Sequence, residues 1–255
     1  MIKSKNSKYR IALCLSGQPR GIPTSCKEII NNIINVNDNV DVFLHAWYDP
    51  LEVGNPYGSA QPLQDNRVGT VQNDTDKILL ETFKPKRSII EPQRAFPFTE
   101  KFKSAPTARQ EVIASIFYTM WKANELKKEY ESENDFKYDC VIRTRYDLHY
   151  HSPIMIKDYS NILKEKIVVP ERYQRDQDNI PWNKLKPMVD IFAFSSSENM
   201  DTFSSVYPNL EELNKAINPP YGEVYLGYHT RLKNNIDLHQ APFMMDILHR
   251  VMNLN

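Results

Sequence analysis

The segment Tyr138-Asp-Cys-Val-Ile-Arg-Thr-Arg-Tyr-Asp-Leu-His-Tyr-His151 holds the densest set of chemically capable side chains in the chain. It begins as an apolar run suited to a buried strand and then delivers two arginines and an aspartate. On an extended backbone Arg143, Arg145, Asp147, His149 and His151 would share one face, because side chains alternate with period two. Two guanidiniums, each a bidentate fork, suit a diphosphate. A carboxylate beside them suits Mg2+ or Mn2+, which takes one or two carboxylates plus phosphate oxygens and water. The plainer alternative is that the arginines pair with surface acids and the histidines are solvated.

Further groups would gather at the same end of a sheet. Ser16-Gly-Gln-Pro-Arg-Gly21 follows an apolar run. There Gly17 permits close backbone approach or a positive φ, and Arg20 adds a cation. Ser16, Gly17, Gln18 and Arg20 are therefore expected around the phosphates. His45-Ala-Trp-Tyr-Asp49 closes a second run. His45 could donate to a phosphate or base and Trp47 could stack on a ring, although a satisfied core histidine beside a packed tryptophan reads equally well. Asp190 opens the run DIFAF, and Glu223 opens a helical pattern. Carboxylates at such starts are often only caps. Yet activating a sugar hydroxyl needs a carboxylate base distinct from a metal ligand, and Asp190 and Glu223 are the candidates. Tyr173, Trp182 and Tyr221 could stack on sugar faces of an acceptor.

Short β-rich runs alternate with helical patterns, as in an α/β sheet with crossover helices. Strands are expected at 10–16, 40–45, 87–91, 138–143, 166–169 and 190–194. Helices are expected around Ile29–Ile34 and over 74–83, 107–130, 198–216, 222–233 and 243–252. In the 107–130 helix Val112, Ile113, Ile116, Phe117 and Met120 form one apolar stripe, and the charged last two turns read as solvated. Segments 46–73 and 171–189 resist assignment; loops of this length in a compact domain are usually functional lids or disordered excursions.

Thirty-two basic and 32 acidic residues give zero net charge. That balance speaks against a dedicated nucleic-acid binder. Seven glycines in 255 residues, none clustered, exclude a Walker loop or a G-x-G-x-x-G turn. Side chains must then do the phosphate work. Cys14, Cys26 and Cys140 lack C-x-x-C spacing and read as buried free thiols. The basic start has no signal-peptide core behind it, and no run approaches the ~18 apolar residues of a membrane span. The expectation is a flexible basic segment 1–9, a single domain over 10–255, no transmembrane segment and a cytoplasmic location.

Five segments together resemble the short GT-A-type glycosyltransferases that build surface or capsid glycans in large algal viruses, phages and bacteria. They are Ser16-Gly-Gln-Pro-Arg20, Asp41-Val-Phe-Leu-His-Ala-Trp47, Tyr138 to Leu148, Asp190 to Phe194 with Met200, and Glu223. The likeness spans roughly residues 10–240. It implies a GT-A-like α/β/α sandwich with a mainly parallel sheet, a nucleotide-sugar donor and a glycan acceptor. It also implies a diphosphate site on Arg143 and Arg145, with Arg145 assisting catalysis, and a divalent ion (Mn2+ or Mg2+) at Asp147. Arg145-Tyr-Asp147 keeps only the second acid of a D-x-D motif. A Rossmann-like S-adenosylmethionine methyltransferase is the alternative enzyme, although it favours a glycine-rich first turn and an acid ending the second strand. A non-catalytic carbohydrate-binding module is the other alternative, and it has no use for two arginines and an aspartate at a strand end.

Overall fold

A computed structural model describes residues 9–57, 69–96, 107–171, 183–217 and 221–247. Apolar runs at the start of the chain become β1 (Ile11–Gly17) and β2 (Val40–Trp47), joined by α1 (Thr24–Ile29), which continues as a π-helical turn to Ile34. Then follow α2 (Thr75–Phe83), β3 (Arg87–Glu91), the long α3 (Thr107–Glu133) and β4 (Cys140–Thr144). The second half holds β5 (Leu148–Tyr150), β6 (Lys166–Pro170), β7 (Phe192–Ser195), α4 (Ser197–Ser204), α5 (Leu210–Ala216) and α6 (Gly222–Gly227). The last strands are β8 (Asp237–Ala241) and β9 (Met245–Ile247).

Seven strands form one sheet in the order β3-β2-β1-β4-β7-β6-β8. Only β7 runs against its neighbours; every other pairing in this sheet is parallel. This is the mainly parallel α/β fold expected from the alternating pattern. Handedness then places the helices. The steps from β1 to β2 to β3 go one way, and the step from β3 to β4 returns across both, so right-handed crossovers carry α1 and α2 to one face and α3 to the other. Accordingly α3 packs across β1, β2 and β3. It runs antiparallel to those strands, so its N-terminal turns sit at their C-terminal ends, the ligand side of such sheets.

Several expectations change. The strand carrying Arg143 ends at Thr144, so Arg145 to Asp147 form a bend, and Leu148–Tyr150 pairs antiparallel with β9 in a separate two-stranded sheet. One face therefore does not carry all five residues from Arg143 to His151. His149 instead meets Glu28 at 3.1 Å, and His151 meets Asp246 at 2.9 Å. The same pairing overrides the helical pattern of 243–252: Met245–Ile247 is strand because a partner edge is available, and residues 248–252 lie outside the described residues. β8, unsignalled by its polar sequence, is held by parallel pairing to β6.

The charged end of α3 is only partly solvated: Glu129 and Glu133 are exposed, but one pair is not. Lys127 and Glu131 are buried, 3.1 Å apart, because α4 packs over them. Lys127 also donates to Ser197 and Asp201, and Glu131 accepts from Ser197 and from the Tyr138 amide. Burial pushes the Glu131 carboxyl up, but these hydrogen bonds and charges more than offset it and hold it below its ordinary value. The three cysteines are buried free thiols, as their spacing suggested.

Candidate active site

The C-terminal ends of β1, β2 and β4 and the first turns of α3 enclose a cleft of about 240 Å³. The sheet register explains its wall. Arg143 stands beside Cys14 on β1 and Ala193 on β7, two small neighbours that leave room for a guanidinium. Ser16 lies two residues beyond Cys14 on the same face, and Gly17 ends the strand at φ +116°, a conformation that favours glycine. Because β7 is antiparallel, its beginning falls at this end of the sheet, and the Arg145 amide donates to the Ile191 carbonyl at 3.3 Å. That places Asp190 at the cleft with Arg143 and Arg145.

The segment before Asp190 is held by α6. The Met188 amide donates to the Glu223 carbonyl, and Gly227 lets the Lys186 backbone approach so closely that a Cβ would lie 2.0 Å from its oxygen. Trp47 closes the other wall, its indole N–H donating to Ser115 of α3 at 3.0 Å. Trp47, Gln18 and Gln93 form a wall shared with a second lobe of about 260 Å³, which Tyr48, Asp49, Glu52 and Tyr57 also line. The two lobes together match the usual ligand site of roughly 300–1,000 Å³.

The electrostatics are dominated by guanidiniums. Arg143 is only 2% exposed, yet its Nε and Nη1 have no hydrogen-bond partner. Burial pushes its pKa down from 12.5 to about 10, opposed by the attraction of Asp190. Ser16 Oγ is likewise buried without a partner. Arg20 and Arg145 also line the cleft. Asp147 stands behind them, 2% exposed, accepting from Arg145 Nε at 2.8 Å and Nη2 at 2.7 Å, with Arg20 Nη1 at 3.7 Å. Burial would raise the Asp147 carboxyl, but Arg145 and then Arg20 outweigh it and keep its pKa below the usual value.

A divalent ion at Asp147 would have to share the carboxylate with the Arg145 fork and stand beside the Arg145 and Arg20 guanidiniums. Among the described residues no group of three His, Cys, Asp or Glu side chains is placed to hold a metal. What speaks against a divalent cation at this position is the pair of guanidiniums already on the Asp147 carboxylate.

The cleft thus brings together Ser16, Gly17, Gln18, Arg20, Trp47, Arg143, Arg145 and Asp190. It does not bring in His45, which is fully buried behind Trp47, bonded to Glu91 at 3.0 Å and edge-on to the Trp47 and Tyr118 rings. Burial lowers its pKa, with Glu91 opposing. Glu223 is exposed in the first turn of α6 and does not line the cleft, and Tyr221 sits half-buried just before that helix. Tyr173 and Trp182 lie outside the described residues. The sequence reading missed Gln93, Ser115 and Thr119. Ser115 and Thr119 stand four apart beside Val112 and Ile116 of the apolar stripe, and that polar i, i+4 pair was the available signal.

These features define an α/β domain with an arginine-lined cleft at the strand ends. Residues 6–179 match the family described as Domain of unknown function (DUF7796), and the chain belongs to that family. No curated protein matches it. Among solved structures, the crystal structure of mouse Xyloside xylosyltransferase 1 in its apo form is similar over 91% of this chain and 84% of that one, at 10% identity and a TM-score of 0.43. No helix among the described residues is long and apolar enough to cross a membrane.

Proposed function

We propose that the chain is a glycosyltransferase that moves a sugar from a nucleoside-diphosphate donor to a hydroxyl of a glycan acceptor. One observation carries the reading: Arg143 is a buried guanidinium with two unsatisfied nitrogens at the wall of a cleft. Each buried donor left unpaired costs about 1–3 kcal/mol, which an oxyanion bound in the cleft would recover. A diphosphate offers several oxygens at the spacing of paired forks.

In this reading Arg143, Arg145 and Arg20 hold the diphosphate, and Ser16 Oγ and the backbone at Gly17 contact its oxygens. Charge builds on the leaving diphosphate as the glycosidic bond breaks, and preorganised guanidiniums stabilise it without solvent reorganisation. Asp190, the one carboxylate lining this lobe among the described residues, orients the acceptor hydroxyl and takes its proton. Trp47 and the aromatic second lobe give room for the nucleoside or sugar rings. His45 supports Trp47 from behind, and Glu223 positions the chain before Asp190 through its carbonyl. S-Adenosylmethionine carries a sulfonium cation, which three guanidiniums would repel.

The test is release of nucleoside diphosphate from UDP-, GDP- and dTDP-sugars in the presence of mixed sugar acceptors. Wild type should consume one donor class and Arg143→Met should not. Stabilisation of the fold by S-adenosylmethionine or free sugars, with no donor bound or consumed, would overturn the proposal.

A further inference from the structure

We infer that Asp147 is a positioning residue that clamps Arg145 and Arg20, so that the donor diphosphate is received by guanidinium groups and binds without a divalent cation. The inference rests on the donor class proposed above and concerns how that same site neutralises its ligand.

Three observations carry it. First, both oxygens of Asp147 are taken by one planar fork, Nε and Nη2 of Arg145, in a buried bend. The arginine is two residues away, so the bend that ends β4 itself sets the pairing. A carboxylate held this way aims a guanidinium at the cleft, where Arg145 is part of the lining. Second, Arg143 lines the cleft, and two of its buried nitrogens, Nε and Nη1, have no acceptor. These are N–H donors without lone pairs, which an oxyanion can use and a metal ion cannot. Third, the charges nearby are Arg20, Arg143 and Arg145 against Asp147 and Asp190. That is three positive against two negative at this lobe, with Asp49 and Glu52 confined to the neighbouring one. A divalent cation added there would stand among three guanidiniums, whereas a diphosphate meets an already cationic site.

Calorimetric titration of inorganic pyrophosphate, UDP, GDP and dTDP into the intact protein, in excess EDTA and separately in Mn2+, tests this directly. At least one of these should bind in EDTA with a Kd within about fivefold of its value in Mn2+, a difference under about 1 kcal/mol. A larger weakening in EDTA overturns the inference and leaves the donor class standing. Absence of binding under both conditions overturns the donor class and the inference together.

Asp147→Asn gives a second reading of opposite sign for the two roles. A positioning carboxylate predicts that pyrophosphate binding is kept or tightened, since a nearby negative charge is gone, while donor turnover falls about tenfold because Arg145 is no longer held. Asp147→Glu should restore part of that turnover. Loss of pyrophosphate binding in a folded Asp147→Asn protein would overturn the positioning role. If that variant does not fold, the wild-type chelator titration decides alone.

Discussion

Replacing Arg143 with methionine should make the protein more stable and nearly inactive. The guanidinium is 2% exposed and two of its nitrogens lack partners, so the folded chain carries a poorly solvated charge. The fall of its pKa from 12.5 to about 10 corresponds to about 3 kcal/mol against the charged form, at 1.36 kcal/mol per pKa unit. Methionine has an unbranched apolar stem of comparable length and no charge to desolvate. That net figure already contains the opposing attraction of Asp190, which is half-buried and can turn to water once the guanidinium is gone; imperfect packing of the new side chain reduces the gain. Replacing a whole buried ion pair by apolar groups is often neutral or stabilising by about 1–4 kcal/mol, and removing Arg143 approaches that case because Asp190 can hydrate. A net gain of about 2 kcal/mol would raise the melting temperature by roughly 4–8 °C in a chain of this size. Donor turnover should fall about a hundredfold, or ~2.7 kcal/mol of transition-state stabilisation. Thermal melts and nucleoside-diphosphate release on the same preparation give both numbers. A lower melting temperature with unchanged turnover per folded molecule would refute the reasoning, and Arg143 would then be an anchor for Asp190.

The Asp147 carboxyl has a depressed folded pKa, so its stabilisation is fully present above the ordinary value of 3.8 and is lost as pH falls through the folded value. Acid unfolding of wild type should therefore steepen below about pH 4, and that component should vanish in Asp147→Asn. Lys127→Ala should cost about 3 kcal/mol in denaturant melts, because it leaves Glu131 and Asp201 only the more exposed Lys137 as a cationic partner. It should leave turnover per folded molecule unchanged, since Lys127 lies in the α3–α4 contact. Gly227→Ala should destabilise by about 1–3 kcal/mol and also lower turnover, because its Cβ would push the Lys186 backbone and with it Asp190. His45→Gln should lower the melting temperature yet leave donor affinity within about threefold, as expected for a ring that holds Trp47 from behind.

Strands with continuous apolar runs were legible because burial on both faces leaves no other reading: IALCLSG and CVIRT are each buried almost throughout. β8 was not, since DLHQA has no such run and exists through its pairing with β6. Met245–Ile247 failed for the same reason, a long-range partner overriding a local period. In the site, Arg143, Ser16 and Arg20 could be placed because strand ends in a parallel sheet converge. Asp190 was legible as an acid at a strand start, although its position depends on β7 running antiparallel, which no local pattern encodes. The role of Asp147 was hidden: a carboxylate two residues from an arginine reads as a metal ligand on an extended strand and as a clamp in a bend. The end of β4 at Thr144 puts Asp147 in a bend beside Arg145, which supports the clamp proposed above. Likewise Lys127 and Glu131 resemble any solvated i, i+4 pair until α4 covers them.

The central claim is that the arginine cleft receives a nucleoside diphosphate. A crystal structure with the nucleoside diphosphate that binds most tightly tests it most directly. The account predicts diphosphate oxygens about 3 Å from Nε or Nη1 of Arg143 and from Ser16 Oγ, with Asp147 still clamped to Arg145. A diphosphate bound elsewhere, with Arg143 turned only toward Asp190, would contradict it.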